Sequence, residues 1–377
     1  MTIRKTKTVI VGAGLSGLYA ALLLEQAGYH DYLLLESRDR FGGRILSVEG
    51  ETHDTRLTAN KDRFDLGPSW FWPDYQPQLQ HLFDALGIPY FAQHETGDMW
   101  LDQSPHQSPR RAHGYTNVPA SMRPVGGMQS VIEAIQRNLD PSRILTGHTV
   151  NHIRHQGEHV VITSQQAAGS HHACHAQHVL LALPPRLAEH RITFEPALPE
   201  HLSNAWRETP TWMAPHAKYV AVYEHPFWRE QGQSGEARSL HGPMGEIHDA
   251  STPEGSAGLF GFLRLPMEMR RRLSEEQLMY QCRAQLTRLF GPEAASPYQE
   301  FVKDWAVDPD TATPLDNQTS DHAETVPPHT ANSGPWSGRV IGIGSEWSTR
   351  FPGYLAGAID AASTGVEALL THRNKRI

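Results

Sequence analysis

Short apolar runs alternate with helix-like stretches from the start of the chain. Thr8-Val9-Ile10-Val11 is a continuous β-branched run of the length expected for a strand buried on both faces. Leu18-Tyr19-Ala20-Ala21-Leu22-Leu23-Leu24 reads as the following helix, Gly28 ends it, and Tyr32-Leu33-Leu34-Leu35 supplies a second strand. That order predicts a βαβ unit with a parallel sheet. An amphipathic helix is expected around 79–87 and another from Met128 to near Leu139. Strands are expected from Ile144, through Thr149-Val150, at 158–162 and at 179–183, the last closed by Pro184-Pro185. Ala217-Lys218-Tyr219-Val220-Ala221-Val222-Tyr223 reads as an alternating strand, and a buried strand around Ile341 precedes a helix starting near Tyr354. The chain is expected to divide into one domain assembled from discontinuous segments, 1–76, 123–207 and 308–377, and a second built from 77–122 and 208–307.

Composition narrows the setting. Hydrophobic content of 39% with 20% charged residues belongs to a soluble globular chain. The formal net charge of −8 argues against any general attraction to nucleic acid or anionic lipid, since both require a cationic surface. No run approaches the roughly 20 apolar residues that span a bilayer, and Met1 runs into the first strand without an apolar leader. Cys174 and Cys282 are the only cysteines and lie far apart, so no disulfide framework is expected and a reducing, cytoplasmic location fits. Among the 23 histidines the densest run is His171-His172-Ala173-Cys174-His175, with His178 nearby. Its spacing matches no standard zinc pattern, so a solvated hairpin segment is expected and no metal.

The candidate chemistry begins at Gly12-Ala13-Gly14-Leu15-Ser16-Gly17, which joins the first strand to the first helix. In such a G-x-G-x-x-G the first glycine permits the tight turn and the second lets the backbone approach a pyrophosphate. The third lets helix and strand pack closely. The helix N-terminus offers free N–H groups and a positive dipole end to the phosphates. Glu36 ends the second strand, 19 residues after Gly17, where a carboxylate can accept ribose hydroxyls.

The next residues, Ser37-Arg38-Asp39-Arg40-Phe41-Gly42-Gly43-Arg44, resemble the extension that follows this acid in FAD enzymes of the amine oxidase and protoporphyrinogen oxidase superfamily. Asp65-Leu66-Gly67-Pro68-Ser69-Trp70 resembles the segment that passes the flavin ring there, with Pro68 in place of a second glycine. Lys218 through Tyr223 to Pro226-Phe227-Trp228-Arg229 resembles the lysine-containing run of monoamine and polyamine oxidases. Gly344-Ser345-Glu346 to Trp347 and Gly353-Tyr354-Leu355-Ala356-Gly357-Ala358 are similar to the family's closing motif.

The resemblance implies an α/β fold. Its parts are a Rossmann-like FAD-binding domain of the glutathione-reductase and amine-oxidase type and a second, smaller α+β substrate domain. It implies FAD contacts at Gly12, Ala13, Gly14, Ser16, Gly17, Glu36, Ser37, Arg38, Gly43, Arg44, Gly67, Pro68 and Ser69. Further contacts are implied at Val150 (against the adenine), Trp305, Gly344, Ser345, Glu346, Gly353, Tyr354, Leu355 and Ala358. Lys218, Tyr354 and Trp70 are the implied catalytic residues, with Lys218 holding a water at flavin N5.

Two departures matter. The family's covalent members carry a cysteine after the residue matching Trp305, whereas this stretch reads Asp308-Pro309-Asp310-Thr311-Ala312-Thr313-Pro314-Leu315. Non-covalent FAD is therefore expected. The same stretch lacks the second aromatic that would complete an amine cage with Tyr354. Phe351, Trp70 and Trp347 are the candidate substitutes. The first substrate-domain block is short, which suggests either a shallower pocket or a roof from another subunit, and leaves a homodimer open. The implied activity is oxidation of a C–N bond in a small amine or amino acid, with hydride passing to flavin N5 and O2 as acceptor. A desaturase-type reaction on a C–C bond and a flavin-binding module with reduced catalysis are the alternatives.

Overall fold

A computed structural model of the chain describes residues 3–50, 62–104, 106–253, 255–317 and 325–374. Met1 and Thr2, where a leader would begin, lie outside the described residues. The chain forms two compact units. One comprises Met1–Arg44, Val131–Ala214 and Asp308–Ile377, and the other Ile45–Ser130 and Pro215–Val307.

The first unit is built on a five-stranded sheet in the order Ile144–Leu145, Tyr32–Leu35, Thr8–Val11, His178–Leu181, Val340–Gly342. All neighbouring pairs are parallel. Thr8–Val11 and Tyr32–Leu35 are buried at every position, as strands covered on both faces must be. Val9, Val11, Leu33, Leu35, Val179 and Leu181 face a core closed by Trp206, Trp336 and Trp347. Helix Leu15–Gln26 is apolar almost all round because it is sandwiched between the sheet and helix Leu355–Asn374.

A second, mixed sheet in this unit runs Ile3–Lys5, His171–Ala176, His159–Gln165, Thr149–Gln156, Thr193–Glu195. The histidine-rich run is a paired strand of this sheet, with His171 exposed and Cys174 buried. Among the described residues no three potential ligands are grouped to hold a metal. Nor is any helix among them long and apolar enough to cross a membrane.

The second unit carries a seven-stranded sheet ordered Gln299–Asp304, Ala217–Tyr223, Ala257–Leu263, Met244–Asp249, Gln233–Ser239, Asp98–Asp102, Arg110–His113. Alternate residues Tyr219, Ala221, Ile247 and Leu259 pack on Leu278, Cys282, Leu286 and Leu289 of helix Glu275–Phe290. Ser274 and Gln277 close a capping box at the start of that helix, satisfying two N–H groups that would otherwise be orphaned.

The opposite face of the sheet packs Val220, Val222 and Phe260 against Phe64 and Leu66. This double coverage explains why Ala217–Tyr223, expected to alternate between core and solvent, is buried throughout. It also explains why 45–76 and 123–130 group with this unit. Phe64 and Leu66 join its core, while Asp65 accepts bonds from the Ser47 hydroxyl at 2.5 Å and the Met128 N–H at 2.9 Å.

Candidate active site

In the first unit the glycine motif forms a strand-to-helix turn whose three glycines differ in kind. Gly12 has φ +104°, and a Cβ on it would stand 2.8 Å from the Ala182 carbonyl oxygen. On Gly17 a Cβ would meet the Gly12 oxygen at 1.9 Å. Those two positions are forced by packing. At Gly14 a Cβ would meet only Gly42 O and Gly43 Cα, at 3.8 and 3.9 Å, so nothing in the chain itself demands a glycine there. Gly14 also caps helix Leu15–Gln26 without a side-chain hydrogen bond. The first-turn N–H groups thus lack a capping side chain, which suits a pyrophosphate.

Glu36 is 3% exposed and organises the adjoining loop. Its Oε2 accepts from Ala13 N–H at 2.6 Å, and its Oε1 accepts from Arg38 N–H at 2.9 Å and the Ser37 hydroxyl at 3.2 Å. A carboxylate has about four acceptor sites, so Oε2 keeps capacity for a ribose hydroxyl. The Arg38 guanidinium bonds Asp308 at 2.6 Å and the Thr311 hydroxyl at 3.1 Å, two partners that no sequence motif flagged. Gly42 N–H donates to Ala13 O at 2.8 Å, which brings the Gly42-Gly43 turn onto the Gly12–Gly17 loop.

Arg44 joins the two ends of the chain. Its guanidinium makes a bidentate pair with Glu346 at 2.5 and 3.0 Å and donates to the Ser345 hydroxyl at 3.1 Å. Ser16 donates to the Ile343 carbonyl. Gly344 precedes the single turn Ser345–Trp347, and helix Leu355–Asn374 begins directly after Tyr354, with Ala358 buried. Val150 is buried in the unit's core, so its backbone is what it can offer a ligand.

Beside Tyr354 stands Trp212, with ring centroids 4.9 Å apart at 49°. Gly353 makes room for it, since a Cβ there would meet Trp212 Cβ at 3.3 Å. Rings this close are in contact, so no amine fits between them; Trp212 backs Tyr354 and does not complete a two-sided cage.

The second unit holds the lysine. Lys218 is 2% exposed, and its Nζ donates to the Ser69 hydroxyl at 2.6 Å and the Gly67 carbonyl at 3.2 Å. The same Nζ lies 3.9 Å from the Phe260 ring centroid and 5.6 Å from that of Phe262. Burial pulls its pKa down. Asp65 opposes that pull and Arg123 adds to it, leaving the amine at about 7. Asp65 is itself buried and held above the usual carboxylate range by burial, with Lys218 opposing. Arg123 donates to the carbonyls of Ser251 and Ala250 at 3.0 and 2.8 Å.

Trp70 donates its indole N–H to Gln93 at 2.8 Å and packs on His248, Phe260 and Phe262. Trp305 donates to the Leu66 carbonyl at 3.0 Å, beside the Gly67-Pro68-Ser69 turn. Arg123, His248, Phe260 and Phe262 were given no role from sequence, and Asp65 entered only as the first residue of the segment that ends at Trp70. For Phe260 and Phe262 the signal is the alternation in Phe260-Gly261-Phe262, which acquires meaning once the strand paired with Lys218 is known.

A model of the flavin containing amine oxidoreductase family matches residues 90–370. The chain belongs to this family. A model of the NAD(P)-binding Rossmann-like domain matches residues 10–86. Flavin-containing amine oxidase B of Sus scrofa is 24% identical over 460 aligned residues, covering 97% of this chain and 86% of that protein. Putrescine oxidase of Kocuria rosea is 25% identical, covering 79% of this chain and 81% of its own length. Among solved structures, wild-type putrescine oxidase bound to putrescine superposes with a TM-score of 0.78 at 20% identity, over 98% of this chain and 100% of that one. Cyclohexylamine oxidase from Brevibacterium oxydans gives 0.77 at 19%, over 98% and 99%.

These likenesses show the fold of a Rossmann-like FAD domain with a substrate domain. As a flavin-containing amine oxidoreductase the chain is an FAD-dependent oxidoreductase. Its own residues fit the cofactor, because a glycine at position 14 that no close contact demands, the uncapped helix start and the spare acceptor capacity of Glu36 suit a dinucleotide.

Proposed function

We propose that this enzyme oxidises the C–N bond of a small amine or amino acid, using a dissociable FAD. When bound, the flavin supplies the hydride acceptor at N5 and passes the electrons on to O2. The observation that carries the reading is Lys218, a fully buried amine on the Gly67–Ser69 turn that exchanges its proton near pH 7. A buried lysine is costly to keep without a use, and one poised near neutrality can take or give a proton at Nζ while holding a water. The Ser69 hydroxyl and Gly67 carbonyl orient it. Trp70, Phe260 and Phe262 keep bulk water from it.

In this reading Gly12, Ala13, Gly14, Ser16 and Gly17 take the phosphates, with Gly43 and Arg44. Glu36, oriented by Ser37 and Arg38, takes a ribose, and the Val150 backbone lies at the adenine. Gly67, Pro68, Ser69 and Trp305 would hold the flavin ring, and Gly344, Ser345 and Glu346 the ribityl chain. Gly353, Tyr354, Leu355 and Ala358, at the start of the C-terminal helix, would offer its positive end to the flavin, which would stabilise negative charge. FAD binding is thereby assigned to 1–76, 123–207 and 308–377, and substrate binding to 77–122 and 208–307.

Dissociable binding is supported by the absence of a cysteine in 308–315 and by the burial of the two cysteines the chain has. Burial pushes the Cys174 thiol up to about 11 and raises Cys282 as well, so neither is a ready nucleophile. A soluble cytoplasmic setting, without nucleic-acid or membrane partners, agrees with the net charge of −8 and the scarcity of cysteine.

The test is anaerobic mixing of the holoenzyme with a panel of amines and amino acids. Flavin bleaching by at least one amine is expected. Bleaching by an apolar C–C substrate and by no amine would overturn the reading. The Lys218→Met holoenzyme should reoxidise more slowly in oxygen, and an unchanged rate would remove Lys218 from the mechanism.

A further inference from the structure

Arg38 sits among three carboxylates of the first unit. Its Nη2 donates to Asp308 Oδ1 at 2.6 Å and to the Thr311 hydroxyl at 3.1 Å. Its Nη1 stops 3.8 Å from Glu36 Oε1, and its Nε stops 3.9 Å from Asp310 Oδ2. A charge-assisted N–H···O bond closes to about 2.7–2.9 Å. The guanidinium is therefore bonded to Asp308 and held just beyond hydrogen-bond reach of Glu36.

Both backbones around this arginine are fixed. Thr311 and Ala312 N–H donate to Asp308 O at 3.1 and 2.9 Å, and Asp310 N–H donates to Asp308 Oδ1 at 3.1 Å. Arg191 fastens the same turn by donating to Pro309 O at 2.6 Å. On the other side, Glu36 N–H donates to Leu145 O at 2.9 Å. The Glu36 and Arg38 carbonyls accept from His148 and Gly147 N–H at 2.7 and 2.9 Å. What can change partner is the Arg38 side chain.

That choice matters for Glu36. Its Oε1 already accepts from Arg38 N–H and the Ser37 hydroxyl, and its Oε2 from Ala13 N–H. A guanidinium laid side-on against the carboxylate would take the acceptor capacity left for a ribose. Without Asp308, the arginine faces Glu36 and Asp310. The Glu36 side chain is 4% exposed against 27% for Asp310, so its charge is the less screened and draws the cation more strongly.

We propose that Asp308 is a positioning residue for the cofactor, which holds the Arg38 guanidinium away from Glu36 and so keeps that carboxylate open to the FAD ribose. Asp308 acts through Arg38 and needs no contact with FAD itself. The inference rests on the reading of Glu36 as the ribose acid.

The experiment titrates full-length apoprotein with FAD and follows flavin fluorescence. Asp308→Ala should weaken FAD binding about tenfold, which is about 1.4 kcal/mol. The isosteric Asp308→Asn should shift it in the same direction. Adding Arg38→Met to Asp308→Ala removes the guanidinium yet keeps the Arg38 N–H that orients Glu36. The double variant should recover most of the lost affinity, whereas a residue that only supported the fold would lose more on the second change. FAD affinity unmoved in both Asp308 variants would overturn the inference, and so would a double variant that binds no better than Asp308→Ala. Where Asp308→Ala fails to fold, Asp308→Asn, alone and with Arg38→Met, decides by the same two comparisons. Glu36→Gln tests the footing separately. Wild-type affinity in that variant would remove Glu36 as the ribose acid and this inference with it, leaving the amine-oxidising reading intact. A wild-type chain that takes up no FAD would overturn both.

Discussion

Replacing Lys218 with methionine removes a buried ammonium and keeps a linear apolar side chain in its place. An unfolded lysine holds its proton to about pH 10.5, whereas Lys218 in the folded chain releases it at about 7. Between those values the unfolded chain binds the extra proton, so wild-type stability rises with pH. The burial penalty is full below pH 7 and is relieved as pH climbs toward 10.5. A tenfold step in proton affinity is worth about 1.4 kcal/mol, which makes the full penalty roughly 5 kcal/mol and its relief between pH 6 and 9 roughly 3 kcal/mol.

Lys218→Met should therefore be more stable than wild type at pH 6, and that advantage should shrink by about 3 kcal/mol at pH 9. Asp65 works in the same direction. Burial already holds its carboxyl high, and losing Lys218 raises it further, so the variant loses stability as pH increases. Urea unfolding of the two apoproteins at both pH values measures the change. Repeating it in an Asp65→Asn background isolates the lysine. An advantage that stays constant with pH, or grows, would refute the account of Lys218 as a buried amine titrating near neutrality.

The three glycines of the Gly12–Gly17 loop should separate in their effects. Gly14→Ala should leave apoprotein stability within about 1 kcal/mol, the cost of a tolerated helix-terminal change. It should weaken FAD binding at least tenfold in a fluorescence titration, because its Cβ enters space bordered only by Gly42 O and Gly43 Cα at 3.8 and 3.9 Å. Equal FAD affinity in that variant would show that the space is not the pyrophosphate site. Acid precipitation of the holoenzyme should release all the flavin into the supernatant. Flavin retained on the pellet would contradict dissociable binding and require a nucleophile other than the two buried cysteines.

Local chemistry made the nucleotide half legible. Strand, glycine turn, helix and acid must follow one another within about forty residues, and each leaves a compositional mark that survives without tertiary information. Glu36 illustrates this, since its bonds to Ala13 and Arg38 lie within the stretch that announced it. Arg44 and Glu346 were each recognisable, yet their bidentate pair spans the whole chain and emerged only when both segments folded into one unit. Trp212 left no signal at all. Nothing near it in sequence refers to Tyr354, and the backbone space at Gly353 lets the two rings meet.

By itself, then, the sequence determined the parallel Rossmann-like fold, the FAD cofactor and the family membership, because these depend on short-range order of residue types. Tertiary structure alone decided the protonation of Lys218 and the pairing of Arg38 with Asp308. Burial and ion pairing are set by segments far apart along the chain, and a charge takes its value from what surrounds it in space.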